Sequence, residues 1–113
     1  MDYKIKTAKS FDKEIKRLGK RYASIADDYA KLLLEISANP HLGTDLGGGL
    51  RKIRMAITSK GKGKSGGARV ITFTVVVAVK ESEINLLYIY DKAERSSISK
   101  KEIEELLRLN RLK

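Results

Sequence analysis

The chain has 113 residues, 42% of them apolar, with 24 Lys and Arg against 14 Asp and Glu, a single histidine and no cysteine. That length suits one domain, 1–113, without room for a second core; the missing cysteines exclude disulfides and thiolate metal sites, and His41 alone cannot build a zinc site. No stretch approaches the roughly 20 apolar residues of a membrane span, and the start Met1-Asp2-Tyr3-Lys4 lacks an apolar signal core, so the expectation is a cytoplasmic protein that needs no metal and no cofactor.

Tyr3, Ile5 and Thr7 alternate with Lys4 and Lys6, the pattern of a short half-exposed strand. Ser10 is placed to cap a helix whose apolar residues Phe11, Ile15, Leu18 and Tyr22 recur at helical spacing. Ser24 offers a second cap, and Asp27 and Asp28 in the first turn favour the helix dipole. The stripe Ile25, Tyr29, Leu32, Leu33, Ile36 runs to Asn39-Pro40, where proline stops it. Together these predict a helical hairpin.

Gly43 and Gly47-Gly48-Gly49 predict a loop. From Leu50 to Thr58, Arg51, Ile53, Met55 and Ile57 alternate with Lys52, Arg54, Ala56 and Thr58, a strand that points Lys52 and Arg54 to the same side. The segment from Lys60 to Gly67 predicts a mobile hairpin loop, because alternating glycines remove side-chain packing and the lysines repel one another. Ala68 to Val79 reads as a long central strand, Glu81-Ser82-Glu83 as a turn and Ile84 to Tyr90 as a further strand. Ser99 and Glu102 make a capping box, Ile98 and Ile103 a hydrophobic staple, and Leu106, Leu107 and Leu112 the apolar face of a last helix. The order β-α-α-β-β-β-α predicts an α+β domain. Its antiparallel sheet is expected to carry the helices on one face and the basic side chains on the other or at an edge.

The formal net charge of +10 is unevenly spread. Arg51, Lys52, Arg54, Lys60, Lys62, Lys64, Arg69 and Lys80 lie between Leu46 and Lys80 with no carboxylate among them, while the other 16 cations face all 14 acids. Such a field attracts polyanions by counterion release and points first to nucleic acid. A solvated basic surface, or a face for an acidic protein, explains the same charges.

Cutting RNA with its own 2′-hydroxyl needs a base for that proton, cations for the charged phosphorane and an acid for the 5′-oxygen. The basic region holds no histidine and no carboxylate pair, so a two-histidine ribonuclease and a two-metal nuclease both fit poorly. Lysine, arginine and tyrosine remain. Neighbouring like charge disfavours a protonated amine, which makes Lys52 beside Arg54 the candidate base. Arg69, with a planar fork matched to phosphate, is the candidate clamp. Tyr90, beside Lys92, is a candidate acid or base-stacking platform, against the plain alternative of an edge tyrosine. Gly61-Lys62-Gly63-Lys64-Ser65 is followed by two more glycines and a strand, which does not match a nucleotide-triphosphate loop.

The run NPHLGTDLGGGLRKIRMAITSKGKGKSGGARVITF from Asn39 to Phe73, followed by LLYIYDKAERSSIS from Leu86 to Ser99, resembles HigB-type toxins of the RelE/ParE superfamily. The resemblance implies a type II toxin–antitoxin partner: a ribosome-dependent endoribonuclease, or mRNA interferase, that inhibits translation by cutting messenger RNA in the decoding site. It also implies a cognate helix-turn-helix antitoxin. Carried over, Lys52, Arg54 and Arg69 match the basic positions around the scissile phosphate, Lys60, Lys62 and Lys64 the flexible basic loop, and Tyr90 and Lys92 a tyrosine–lysine pair; Arg51 adds to the RNA-binding charge. Two positions depart from RelE: Ala93 stands where an arginine follows the last strand, and Ser99 where a tyrosine enters the last helix. Tyr90 is therefore nominated as the acid. Two alternatives remain: a ParE-like toxin that binds DNA gyrase, and a non-catalytic RNA-binding protein.

Overall fold

The computed structural model describes residues 2–113. Strand β1 (Asp2–Thr7) leads into helices α1 (Lys9–Arg21) and α2 (Ile25–Ala38), and four strands follow: β2 (Thr44–Gly47), β3 (Leu50–Met55), β4 (Ala68–Ala78) and β5 (Glu81–Asp91). Helix α3 (Lys100–Leu109) closes the chain. The five strands form one sheet in the order β1-β5-β4-β3-β2, antiparallel except where β1 runs parallel to β5. The α+β class and the expected succession of elements are borne out, with one added strand. That strand, β2, lies in the segment expected to be a loop, and its backbone pairs with Arg51 and Lys52.

Alternation in the strands separates two cores. On one sheet face Phe11, Leu18, Ile25, Leu32 and Ile36 of the helical hairpin pack on Ile53, Met55, Val70, Ile84, Leu86 and Ile89. On the other, Ile103 and Leu107 of α3 pack on Leu50, Ile71 and Leu87. Burying each such aliphatic side chain stabilises the fold by about 1.5–3 kcal/mol. Helices therefore cover both faces, not one as expected, and the reason is the apolar run of β4 and β5, which supplies side chains to both. Helix α3 keeps its sequence-predicted capping box: Ser99 Oγ accepts from the Glu102 backbone N–H at 3.1 Å while Glu102 accepts from the Ser99 backbone N–H at 3.2 Å.

Other local readings shift. Helix α1 starts after Ala8, with no side-chain cap. Ser10 instead donates from Oγ to the Leu87 carbonyl, and accepts at that oxygen from the Asn110 side-chain amide at 2.9 Å. The Leu87 carbonyl belongs to an irregularity in β5: Ile71 pairs with Tyr88 but Thr72 with Leu86, so Leu87 is an extra, bulged residue. A bulge reverses the side-chain alternation beyond it. Here it turns Tyr88 and Tyr90 onto the α3 face. Glu81-Ser82-Glu83, expected as a turn, is strand, because β1 pairs with it residue for residue. Beyond Met55 the expected strand stops, and Thr58–Lys60 make one 3₁₀ turn. No helix among the described residues is long and apolar enough to cross a membrane.

Candidate active site

On the α3 face, at the edge of the area that α3 covers, the register lines up two rows. Arg54 on β3 is paired with Arg69 on β4, and Arg69 with Tyr90 on β5. One step along the strands, Lys52 is paired with Ile71, and Ile71 with Tyr88. Neighbouring strands are about 4.8 Å apart, so each row brings its residues together without a loop's freedom. The face-sharing of Lys52 and Arg54 expected from alternation holds, and Arg69 and Tyr90 join them. Like charges directly opposite each other across strands are unfavourable, so the Arg54–Arg69 juxtaposition concentrates positive charge without stabilising the strand pairing.

The members differ in access. Arg54 is exposed and Lys52 half-buried. Arg69 is only 4% exposed. Its Nη1 donates to the carbonyls of Lys64 at 2.9 Å and Ala68 at 3.1 Å, and its Nη2 to the carbonyl of Ser65 at 3.2 Å. Burial first, and the Arg54 charge second, lower the Arg69 pKa, although an arginine stays protonated through such shifts. Tyr90 is buried, and burial raises its pKa against the opposing pull of Arg69 and Arg95. A phenol so placed holds its proton at neutral pH, which suits an acid and not a base. Its ring lies under the guanidinium of Arg95, 5.8 Å from the centroid, and 6.4 Å from the ring of Tyr88. The half-buried Tyr88 is the more accessible of the two rings.

The resemblance expects an arginine at position 93, where this chain has Ala93, and so passes over Arg95. Two residues further on, Arg95 occupies the place over the tyrosine, held by Glu102 Oε2 at 2.6 Å and Ser97 O at 3.0 Å. The signal that could have found it is Glu102, an acid in the first turn of a helix that begins five residues after Arg95.

Asp91 was also missed. Its carboxylate is fully buried and accepts from Lys60 Nζ at 2.8 Å, Tyr22 OH at 2.6 Å and the Ala93 backbone N–H at 2.9 Å. Burial alone would raise its pKa; the bonds from Lys60, Tyr22 and Ala93 together outweigh that and hold it below the usual range. A second buried acid, Asp28 on α2, accepts from the Thr58 backbone N–H at 3.0 Å, from the Thr58 hydroxyl and from Ser24 Oγ at 2.7 Å. These two carboxylates fasten the start of the glycine–lysine loop to the helical hairpin and to the end of β5.

The loop is accordingly anchored at several points, whereas the sequence suggested free motion. Lys60 faces inward to Asp91, with its side chain only 10% exposed, and so does not join the outward cations. Lys64 pairs with Glu35 Oε2 of α2 at 3.2 Å, and Lys62 stays on the exposed side. Gly67 must be glycine, since a Cβ there would run into the Met55 carbonyl and the backbone of Ala56. The Lys92 backbone N–H donates to the Gly67 carbonyl at 3.0 Å, and the Lys92 side chain is exposed at the rim. Arg51 does not reach the site. It projects from the opposite face, where Nε and Nη2 donate to the carbonyls of Leu42 at 3.1 Å and Gly43 at 2.8 Å.

One sheet end gathers Lys52, Arg54 and Arg69 beside Tyr88 and Tyr90 in a small α+β domain. The family model described as the RelE toxin of the RelE/RelB toxin–antitoxin system matches residues 4–112. The chain belongs to this family of toxins from toxin–antitoxin systems.

Proposed function

We propose that this toxin is a ribosome-dependent endoribonuclease of the HigB subgroup, cutting messenger RNA in the cytoplasm until a cognate helix-turn-helix antitoxin neutralises it. The observation that carries the reading is the Arg54–Arg69–Tyr90 row with Lys52 beside it. Membership of the RelE family supports the ribonuclease class, and the glycine–lysine loop from Ser59 to Gly67 supports the subgroup.

In this reading Lys52 takes the proton of the 2′-hydroxyl. The freed oxygen attacks the adjacent phosphorus, and the bond to the 5′-oxygen breaks as Tyr90 gives that oxygen a proton. A 2′,3′-cyclic phosphate and a 5′-hydroxyl end result. Arg54 and Arg69 hold the non-bridging oxygens, whose charge grows in the transition state, where such stabilisation accelerates the reaction most. Arg95, stacked on Tyr90, favours the phenolate left behind. Lys62, Lys64 and Lys92 form the rim that contacts RNA phosphates.

The test is to add purified protein to a translating extract and map the ends of the message. Cuts inside the translated reading frame, dependent on ribosomes and leaving cyclic phosphate ends, are the expected result. Trapped DNA breaks with intact message would instead show a gyrase poison, and neither outcome would leave a binding protein.

A further inference from the structure

The arginine best shaped to grip a phosphate is already occupied by the protein itself. Two of the three carbonyls that fill the Arg69 fork, those of Lys64 and Ser65, belong to the loop, and the ammonium of that same Lys64 is paired with Glu35 on α2. Two cations are thus engaged at once: Arg69 by the loop's backbone, and the loop's own Lys64 by Glu35.

We infer that the segment from Gly61 to Gly66 is an internal occupant of the phosphate site, latched by Glu35 and displaced when an RNA phosphate draws Lys64 away from Glu35 and replaces the carbonyls on Arg69. This rests on the functional reading above and adds to it a regulation of the same site.

The ends of the segment are fixed and its middle is not. Lys60 is bound into the buried Asp91 carboxylate, and Gly67 lies against β3 with its carbonyl held by Lys92. Between these anchors, Gly61 and Gly63 adopt positive φ angles of 69° and 62°. Glycine crosses between left- and right-handed conformations at little steric cost, so both positions are ready pivots. The Lys64–Glu35 pair is half in solvent, with side chains 52% and 33% exposed. Pairs of that kind are weak. A phosphate oxygen is also a stronger acceptor for a guanidinium than a peptide carbonyl, because it bears a net negative charge and two such oxygens match the guanidinium fork. The exchange therefore has a direction: RNA gains more from Arg69 and Lys64 than the loop loses. Without RNA the latch keeps the clamp covered.

Glu35→Gln keeps the shape of the side chain and removes the charge that holds Lys64. The expected effect is a tightening of binding to a single-stranded RNA oligonucleotide by about two- to fivefold, the size of an exposed ion pair expressed as an affinity, with faster amide hydrogen exchange from residue 61 to 66 in the free protein. Losing a nearby negative charge would also tighten binding through the general field, so the double variant decides. In a Lys64→Gln background the latch is already gone, and Glu35→Gln should leave affinity and loop exchange unchanged. Equal tightening in both backgrounds, unchanged loop exchange, or no RNA binding by any of the four proteins would overturn the latch. None of these readouts needs turnover. A protein that passes the cycle but leaves message intact would keep the latch and lose the ribonuclease reading.

Discussion

The two ends of the α3 face are built from the same strands and held together by different forces. At one end Leu50, Ile71 and Leu87 are covered by Ile103 and Leu107, an interface of aliphatic carbon. At the other, Arg69 is held by loop carbonyls beside an exposed second arginine, Arg54, and behind it, on the hairpin face of the same sheet end, Lys60 is bound by Asp91. Ten residues of helix span only about 15 Å, so α3 covers part of the face and the rest stays open for charge. Apolar burial is non-directional and needs no ionised partner, whereas the polar end depends on each partner being present and ionised. The sheet is thus held by carbon packing at one end and by specific polar pairs at the other.

This contrast is most severely strained by Lys60→Met, which leaves the buried Asp91 carboxylate without its cation. Removing one member of a buried pair costs about 3–5 kcal/mol, and chemical denaturation of the variant is expected to show a loss of that order. Leu107→Ala strikes the other end and is expected to cost about 2–5 kcal/mol. Below its unfolding temperature this variant should cleave at the normal rate, because no member of the cationic rows touches Leu107's core cluster except through Ile71 and Tyr88. Denaturation curves alongside cleavage rates check both.

Acid separates the two ends in a graded way. The Asp91 carboxyl titrates below its ordinary value, so the unfolded chain binds its proton more readily than the folded one. The stabilisation from this group is complete above the unfolded pKa of roughly 3.9 and fades as pH falls through the lower folded value. Wild-type stability should decline in that acid window, and the decline should shrink in Lys60→Met, as thermal melts across pH would reveal. The smallest effect belongs to the rim. Replacing Lys62 and Lys64 by Gln should flatten the slope of log affinity against log salt by up to about 0.7 per lost single-strand phosphate contact, measured by titration of an RNA oligonucleotide.

The sequence showed clearly what depends on periodicity, and the last of its three expected caps; Ser10 and Ser24 make no cap bond, Ser24 donating to Asp28 instead. The apolar stripes of α1 and α2, the Ser99–Glu102 box and the shared side of Lys52 and Arg54 all follow from local spacing, and all stand as read. It hid what depends on register. Nothing in Leu86-Leu87-Tyr88 announces that Leu87 is bulged, yet that single extra residue decides whether Tyr90 faces Arg69 or the helical hairpin. Strand β2 was hidden for a related reason, since its four residues, Thr44 to Gly47, are too few to carry a pattern and only pairing with β3 makes them a strand. The loop was misjudged because composition reports how a segment behaves alone; the buried acids that tie it down, Asp28 and Asp91, come from distant elements. Arg51 likewise counts as a basic residue in the sequence and as a brace for the β2 approach in the fold.

The central claim is that Arg54 stands opposite Arg69 for chemistry and against stability, and Arg54→Ala tests it most directly. Arg54 is exposed, so its removal opens no cavity, and it ends a like-charge cross-strand contact of the kind that costs roughly 0.2–1 kcal/mol. The account predicts an unchanged or slightly raised melting temperature together with a fall of about 10²–10³ in single-turnover cleavage of ribosome-bound message at saturating toxin. A variant that cleaves at the full rate, or one whose activity falls only in step with its stability, would contradict it.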